Sequence, residues 1–193
     1  CVNRLYYQKN IPVKDGILIS KIPHRHIRRE WVKRIIDHDG TDTEEGGIEK
    51  WLVMGEAMGL SRESDLTDEN LLPGTKYAVD AYVNFVREKP WIEGIASSLT
   101  ELFAPKLHKV RLAAFEQYYT WIDPKALDYM RVRVALATRD CDHGLSVVQE
   151  YCTTVEMQEK AVAALQFKCD LLWAQLDALY YHFTAPTKAM TTA

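Results

Sequence analysis

The sequence lacks the features that mark secreted, membrane and nucleic-acid-binding proteins. Its four cysteines form no C-x-x-C pair, and two of them, Cys141 and Cys152, lie eleven residues apart on one predicted helix. That spacing is roughly 16 Å, too long for a disulfide, so a reduced cytoplasmic protein is the simplest interpretation. There is no run of 18 apolar residues and no charged-then-apolar leader. We therefore predict no membrane partner.

Positive charge and glycine-rich phosphate loops are also scarce. The formal net charge is −3, which gives no basic surplus for nucleic acid, so we predict no such partner. The segment "EEGGIEKW" lacks the strand and the Lys-Ser/Thr of a P-loop. The opening "CVNRLYYQKN" has neither an initiator methionine nor a capping residue before a helical pattern. We expect an upstream segment to be missing.

Helical periodicity fills most of the 193 residues. Short breaks fall at 39–47, 59–74, 120–124 and 153–154, and they coincide with Gly40, Asp123-Pro124 and a Thr153/Glu156 capping box. No segment alternates as a strand does. We predict an all-α fold, a compact bundle of about seven helices: one helical catalytic domain over 1–183, incomplete at its N-terminus, and a flexible tail or linker start over 184–193.

Two long helices carry apolar seams, and two prolines interrupt helical patterns. One seam runs from Leu127 to Cys152; the other comprises Val162, Leu165, Cys169, Leu172, Leu176, Leu179 and Phe183. Pro12 and Pro105 are expected to kink or break their helices.

Polar side chains interrupt these apolar patterns at helical spacings. In "SSLTELFAPKLHKVRL", residues 97–112, Glu101 and His108 are seven apart and would lie within roughly 20° of each other on one helix face. Tyr129 and Arg133 are four apart and share a face. Lys168 lies between Leu165 and Leu172, so its ammonium either snorkels outward or meets an anion. These residues predict an internal polar site.

A metal centre is the first alternative for that site. Di-iron bundles use Glu-x-x-His on two helices, and this sequence has no such motif. Glu101 with His108, and Asp140 with His143, form a partial set beside Arg111 and Arg133, whose charges oppose a further cation. We predict no metal. No histidine lies in a sequence context that indicates a nucleophilic triad.

Seven segments resemble the pyrroloquinoline quinone synthase family over the whole chain. They are "RLYYQKNIPVKD", "RIIDHDG", "GGIEKWL", "AVDAYVNF", "SSLTELFAP", "RDCDHGL" and "LQFKCDLLWAQLDAL". The resemblance implies a haem oxygenase-like helical fold and a homodimer. It also implies ring closure and eight-electron oxidation of a bicyclic, anionic quinone precursor, with O2 as co-substrate, H2O2 released, pyrroloquinoline quinone (PQQ) as product, and no metal or organic cofactor.

The same resemblance assigns roles to thirteen residues. It implies that fixed cations bind the substrate, with hydrogen bonds and orientation from four further side chains. It places His38 at the substrate ring as a proton-transfer group, and His108, Tyr129 and Arg133 around dioxygen or peroxide. The substrate-binding positions are Arg4, Lys14, Arg34, Arg111 and Lys168 for charge, and Gln8, Tyr82, Thr100 and Glu101 for polar contacts.

Several alternatives stay open at this stage. A non-catalytic quinone carrier would keep the cations without His38 or the oxygen group. A thiaminase or a di-iron oxidase of the same superfamily would need a cysteine nucleophile or a full ligand set. The family also has an N-terminal helix with an active-site histidine, which this chain lacks. The tail "TAPTKAMTTA" resembles a linker start, which suggests fusion to, or contact with, the peptide-chaperone domain of the pathway.

Overall fold

The computed structural model describes residues 1–184, and every regular element in that range is helical apart from one isolated Gly40–Glu45 bridge. The all-α bundle predicted from periodicity is confirmed. None of the described helices is long and apolar enough to cross a membrane. The α-helices are α1 (Val2–Lys21), α2 (Arg25–Asp39), α3 (Gly47–Ala57), α4 (Pro73–Glu88), α5 (Trp91–Ser97), α6 (Ala104–Tyr118), α7 (Asp128–Tyr151) and α8 (Val155–Thr184), with 3₁₀ turns at Asp68–Asn70, Ser98–Leu102 and Pro124–Leu127.

Two apolar clusters form the core. The larger joins α1, α2, α4, α5, α7 and α8 around residues such as Leu18, Trp31 and Ile95. The smaller joins α3 and α7 to the start of α1 through residues such as Met54 and Met130. Burying these side chains supplies most of the driving force for folding. The cavity described below takes wall residues from both clusters.

The segment 97–112 is not one helix, which corrects the prediction for Glu101 and His108. After α5 the chain forms the 3₁₀ turn Ser98–Leu102, and α6 begins at Ala104 with Pro105 in its first turn. Proline is tolerated there because the first-turn amides have no acceptor within the helix. Glu101 and His108 therefore belong to different elements and do not share a helix face.

The apolar seam predicted for α8 is only partly buried: Leu165, Cys169, Leu172 and Leu179 are half-buried. The buried face consists of Ala161, Ala164, Lys168, Leu171 and Gln175, whereas three seam positions are exposed. These exposed residues are Val162, Leu176 and Phe183. Small and polar side chains face inward because α4 and α5 pack closely against this helix. Lys168 is 1% exposed, so its ammonium does not snorkel.

Most helix ends agree with the sequence signals. Gly40 ends α2 with φ 87°, and the Asp123 carboxylate accepts the amide of Lys125 at the start of a 3₁₀ turn. The N-cap of α8 is Thr154, whose hydroxyl accepts the amide of Met157 at 3.2 Å, one residue later than predicted. Pro12 lies inside α1 without ending it.

All four cysteines are free thiols. Apart from Thr184, the predicted tail lies outside the described residues.

Candidate active site

A cavity of about 430 Å³ opens between α1, α3, α6, α7 and α8. The volume is typical of sites for small molecules. Five of the thirteen predicted site residues lie beside the cavity in a buried layer: Gln8, Lys14, Arg34, Tyr82 and Lys168. The other eight line it: Arg4, His38, Thr100, Glu101, His108, Arg111, Tyr129 and Arg133.

The deepest part of the buried layer is built on Asp15. Its carboxylate is fully buried, 2.5 Å from the Lys14 ammonium and 3.4 Å from Nε of Arg34, and it accepts the indole N–H of Trp31 at 2.7 Å. Burial opposes the charged form, but Lys14 and Arg34 outweigh it and hold the pKa of Asp15 below its ordinary value. Sequence reasoning did not identify Asp15 or Trp31, although both lie within a helical turn or so of a predicted site residue.

Arg34 and Arg133 share two carboxylates. Arg133 donates to Glu101 at 2.9 Å, and Arg34 lies 3.6 Å from the other oxygen of that carboxylate. Oδ2 of Asp140 lies 3.1 Å from Nη1 of Arg34 and 3.8 Å from Nη1 of Arg133. Burial works against the charge on Glu101, yet Arg133 and Arg34 keep its pKa below the usual range. Asp140, considered above as a metal ligand, serves instead as a partner for arginines.

Asp140 also connects the site to the surface of α7. Its Oδ1 accepts hydrogen bonds from Nε of Arg139 at 3.1 Å and from Nη2 at 2.6 Å. The Arg139 guanidinium contacts Asp37 as well, and Asp37 lies one residue before His38 on α2. A chain of paired charges therefore fixes α2 against α7 at the point where both helices supply residues to the cavity.

Lys168 occupies an aromatic box without a carboxylate. Its Nζ lies 3.4 Å from the ring centroid of Tyr82 and 4.3 Å from that of Tyr7. Among the described residues, this ammonium has no hydrogen-bond acceptor. Burial first, and then repulsion from Arg4 and Lys14, lowers its pKa well below the ordinary lysine value. Such a group is ready to receive an anion.

His38 is a buried imidazole whose two nitrogens make no hydrogen bond to the described residues. Burial, followed by repulsion from Arg133, lowers its pKa to about 3. The ring is therefore neutral at physiological pH. His38 lines the cavity, and its nitrogens have no hydrogen-bond partner among the described residues, so one of them can accept a proton from a ligand.

His108 and Tyr129 form the other wall of the cavity. Their rings meet edge to face with centroids 5.9 Å apart, and Tyr129 packs against Trp51 at 4.9 Å. Burial lowers the pKa of His108 to about 4, with Arg133 as the next cause. Burial likewise raises the pKa of Tyr129, so its hydroxyl stays protonated. The wall offers a neutral imidazole and a phenol O–H beside the Arg133 guanidinium.

Arg4 and Arg111 line the more accessible side of the cavity. The Arg4 guanidinium stacks on Tyr7 at 3.9 Å from the ring centroid, and Arg111 is exposed on α6. Partial desolvation of the Arg111 guanidinium at the cavity wall, followed by repulsion from Arg4, lowers its pKa. Three carboxylates, Asp15, Glu101 and Asp140, face a larger set of cations, which are Arg4, Lys14, Arg34, Arg111, Arg133 and Lys168. This excess of three formal positive charges favours a ligand with several carboxylates.

Metal ligands do not converge in the part of the chain that the structure describes. No group of three or more His, Cys, Asp or Glu side chains is placed to hold an ion among residues 1–184. The two partial pairs, Glu101 with His108 and Asp140 with His143, are thus not completed by a third ligand there.

The sequence matches known proteins over most of its length. The profile of the TENA/THI-4/PQQC family matches residues 1–178. A pyrroloquinoline-quinone synthase from Cronobacter sakazakii is 54% identical over 182 residues, which are 94% of this chain and 72% of that relative. A protein of the same name from Pseudomonas syringae pv. tomato is 51% identical over 177 residues, 92% of this chain and 70% of the relative. One from Pseudomonas aeruginosa is also 51% identical, with 92% and 71% covered.

Proposed function

The chain belongs to the TENA/THI-4/PQQC family, whose fold is haem oxygenase-like, and from that premise we propose that it is the enzyme that completes PQQ biosynthesis. It is an enzyme of PQQ biosynthesis, as its relatives' names indicate. The finer proposal is ring closure and eight-electron oxidation of the bicyclic quinone precursor by O2, with release of H2O2, without a metal or an organic redox cofactor, by a cytoplasmic homodimer.

The surplus of positive charge around the cavity is the observation that carries this proposal. An acidic quinone precursor brings carboxylates to Lys168, Arg4 and Arg111, which have none among the described residues. Each buried cation that gains an anionic partner recovers part of the free energy lost on desolvation. A neutral ligand would leave that charge unpaired. Substrate and product carry similar carboxylates, so both should bind the same side chains.

Proton transfer is the proposed role of His38. Each two-electron oxidation of the substrate ring releases protons, and a neutral imidazole with open nitrogens accepts them. The lowered pKa of His38 keeps the base form populated in the free protein. As the substrate carboxylates offset the charge of Arg133 and Arg34, the pKa of His38 rises toward neutrality, where an imidazole both takes and returns protons efficiently.

Stabilisation of reduced oxygen is the proposed role of Arg133, Tyr129 and His108. Dioxygen becomes anionic as it accepts electrons, so a fixed guanidinium beside it lowers the energy of that charge. The protonated Tyr129 hydroxyl is a donor for the same atoms. In the ligand-free protein Nη2 of Arg133 donates a hydrogen bond to Glu101, which holds the guanidinium in place. Its Nη1 has no acceptor among the described residues and can donate to reduced oxygen.

Turnover of the ring-open precursor in air tests the proposal directly. The purified protein is incubated with precursor after exhaustive chelation, and formation of the quinone is followed by absorbance and peroxide by a coupled assay. We expect quinone and H2O2. Binding of PQQ without turnover would instead identify a quinone carrier, and activity that is lost on chelation and restored by iron would identify a metal-dependent oxidase.

A further inference from the structure

A second cavity, of about 220 Å³, adjoins the substrate cavity at the N-terminal third of α7. The end of α2, the loop 40–46, the start of α3 and the first turns of α7 line it. It shares two wall residues, Tyr129 and Arg133, with the larger cavity. These are two of the residues assigned above to oxygen, whereas the remaining walls of the two cavities differ.

The partition between the second cavity and His38 is thin at Gly47. A Cβ atom at this position would come within 3.3 Å of Cε2 of Tyr129 and within 3.7 Å of Nδ1 of His38. Gly46 holds the loop close to α2, because a Cβ there would lie 2.4 Å from the carbonyl oxygen of His38. Two adjacent glycines therefore let the loop backbone approach His38 closely.

The chemistry of the second cavity differs from that of the substrate cavity. Ile36, Val132 and Leu136 give it apolar walls, and the exposed Glu44 and Glu45 bring negative charge to its rim. Lys50, which also contributes to the wall, is already paired with Asp128 at 2.9 Å. An acidic rim repels a polycarboxylate, whereas uncharged O2 and H2O2 are not repelled and apolar walls favour O2.

The stoichiometry of the proposed reaction favours a path for oxygen apart from that of the substrate. Reduction of one O2 takes up two electrons when H2O2 forms and four when water forms, so removing eight electrons from one bound substrate with release of H2O2 consumes three or four O2 molecules. They must reach the intermediate in succession while it occupies the substrate cavity. A route through the second cavity reaches Tyr129 and Arg133 without using the substrate cavity. Successive O2 molecules can then arrive while the intermediate stays bound.

We propose that the second cavity is a binding and passage site for small uncharged molecules, through which O2 reaches the Tyr129–Arg133 wall and H2O2 leaves. This inference rests on the proposed function for the identity of the oxidant. The geometry that carries it is independent of that function: two cavities with otherwise different walls share the side chains of Tyr129 and Arg133, and Gly47 lies between the second cavity and His38.

Filling the second cavity tests the inference. Val132→Phe and Leu136→Phe place a larger ring in its walls at positions that do not line the substrate cavity, and Ala135→Phe adds the same ring at an exposed position of the same helix. We expect each filling variant to raise KM for O2 severalfold, with unchanged PQQ affinity and with the maximal rate restored at high O2 pressure. Ala135→Phe should behave as the wild type does.

Unchanged KM for O2 in both filling variants, with an active wild type, would overturn the inference. An inactive wild type would instead contradict the proposed function. Xenon is an apolar probe of oxygen-sized sites, and its binding tests the second cavity without any measurement of enzyme activity. Crystals of the wild type under xenon pressure should contain xenon in the second cavity, and Leu136→Phe crystals should not. Xenon absent from that cavity in the wild type would rule the site out.

Discussion

The ammonium of Lys168 lies 3.4 Å from the centre of the Tyr82 ring, inside the protein and without a carboxylate partner among the described residues. An isolated buried charge destabilises the folded state. Lys168 therefore lowers the free energy of unfolding of the ligand-free protein.

Lys168→Met should stabilise the ligand-free protein by about 1–4 kcal/mol, the range found when buried ionic groups are replaced by apolar ones. The pKa of Lys168 is lowered by folding, so the unfolded state binds more protons and wild-type stability rises with pH toward the ordinary lysine pKa. The gain should thus be larger at pH 6 than at pH 9, as measured by denaturant titration. The control Lys160→Met removes an exposed lysine from the same helix. A gain independent of pH would contradict the prediction.

Binding of PQQ should draw a proton into the protein. A ligand carboxylate near Lys168 favours the charged ammonium and raises its pKa toward the ordinary value. Calorimetry in buffers of different ionisation enthalpy measures this uptake at constant pH. We expect uptake by the wild type and a smaller uptake by Lys168→Met. Equal uptake in the two proteins would remove Lys168 from the ligand's surroundings.

Acid should destabilise the protein because the pKa values of two buried imidazoles, His38 and His108, are lowered by folding. His38 has the larger shift and provides the test. Folding lowers the pKa of His38 to about 3, so its contribution to stability is complete above the ordinary histidine pKa of about 6.5 and is lost as the pH falls below it. At pH 5 this loss is about 2 kcal/mol. In His38→Asn, the difference in unfolding free energy between pH 7.5 and pH 5 should shrink by that amount. His26→Asn, at an exposed position, should leave the difference unchanged.

Removing a carboxylate and removing a cation should have opposite effects on ligand binding. Asp140→Asn leaves Arg34 and Arg133 with less negative charge, so it should destabilise the free protein by about 3–5 kcal/mol. PQQ should then raise Tm more in this variant than in the wild type, because its carboxylates replace the missing charge. Arg34→Ala should instead weaken PQQ binding by about 1.5–3 kcal/mol. Equal ligand-induced shifts of Tm in Asp140→Asn and the wild type would disprove this account.

Arg133 and His38 should block the reaction at different stages. Arg133→Ser removes the charge that stabilises reduced oxygen, so a reduced quinol-like species should accumulate in air. His38→Ala removes a proton-transfer group, which typically contributes 10²- to 10⁴-fold, and should slow deprotonation before O2 is needed. Stopped-flow mixing with precursor, first without and then with O2, separates the two stages. The division of roles is wrong if both variants stall at one species with one dependence on O2.

Periodicity was enough to predict an all-α fold, but it misjudged which side of α8 is buried. Leu176 and Phe183 have the expected spacing, yet they are exposed, and Lys168 with Gln175 faces inward. A hydrophobic pattern indicates which face of a helix avoids water. It carries no information about how closely α4 and α5 pack against α8, or about the ligand for which a lysine is kept inside the protein.

Residue identities in the site were predicted through the family resemblance, whereas their pairings needed the fold. The 3₁₀ turn that carries Glu101 separates it from His108, and the two meet at the cavity by tertiary packing rather than by helical spacing. Asp15 was missed because a single acidic residue on an ordinary helix has no signature of its own. Its burial beside Lys14, Arg34 and Trp31 becomes visible when α1 and α2 pack together.

The long sequence separation of the polar contacts around the site determines when the site forms during protein synthesis. Lys14 bonds Ser98 across 84 residues, and Arg139 bonds Asp37 across 102. While α7 and α8 are still in the ribosome, Asp15 holds its neighbours but Arg34 lacks Asp140 and the Tyr7–Tyr82 box lacks its lysine. Until α7 and α8 pack, helices α1–α6 therefore keep exposed the faces that these two helices later cover. Since non-local contacts form slowly, the buried charged layer beside the cavity is completed late in folding.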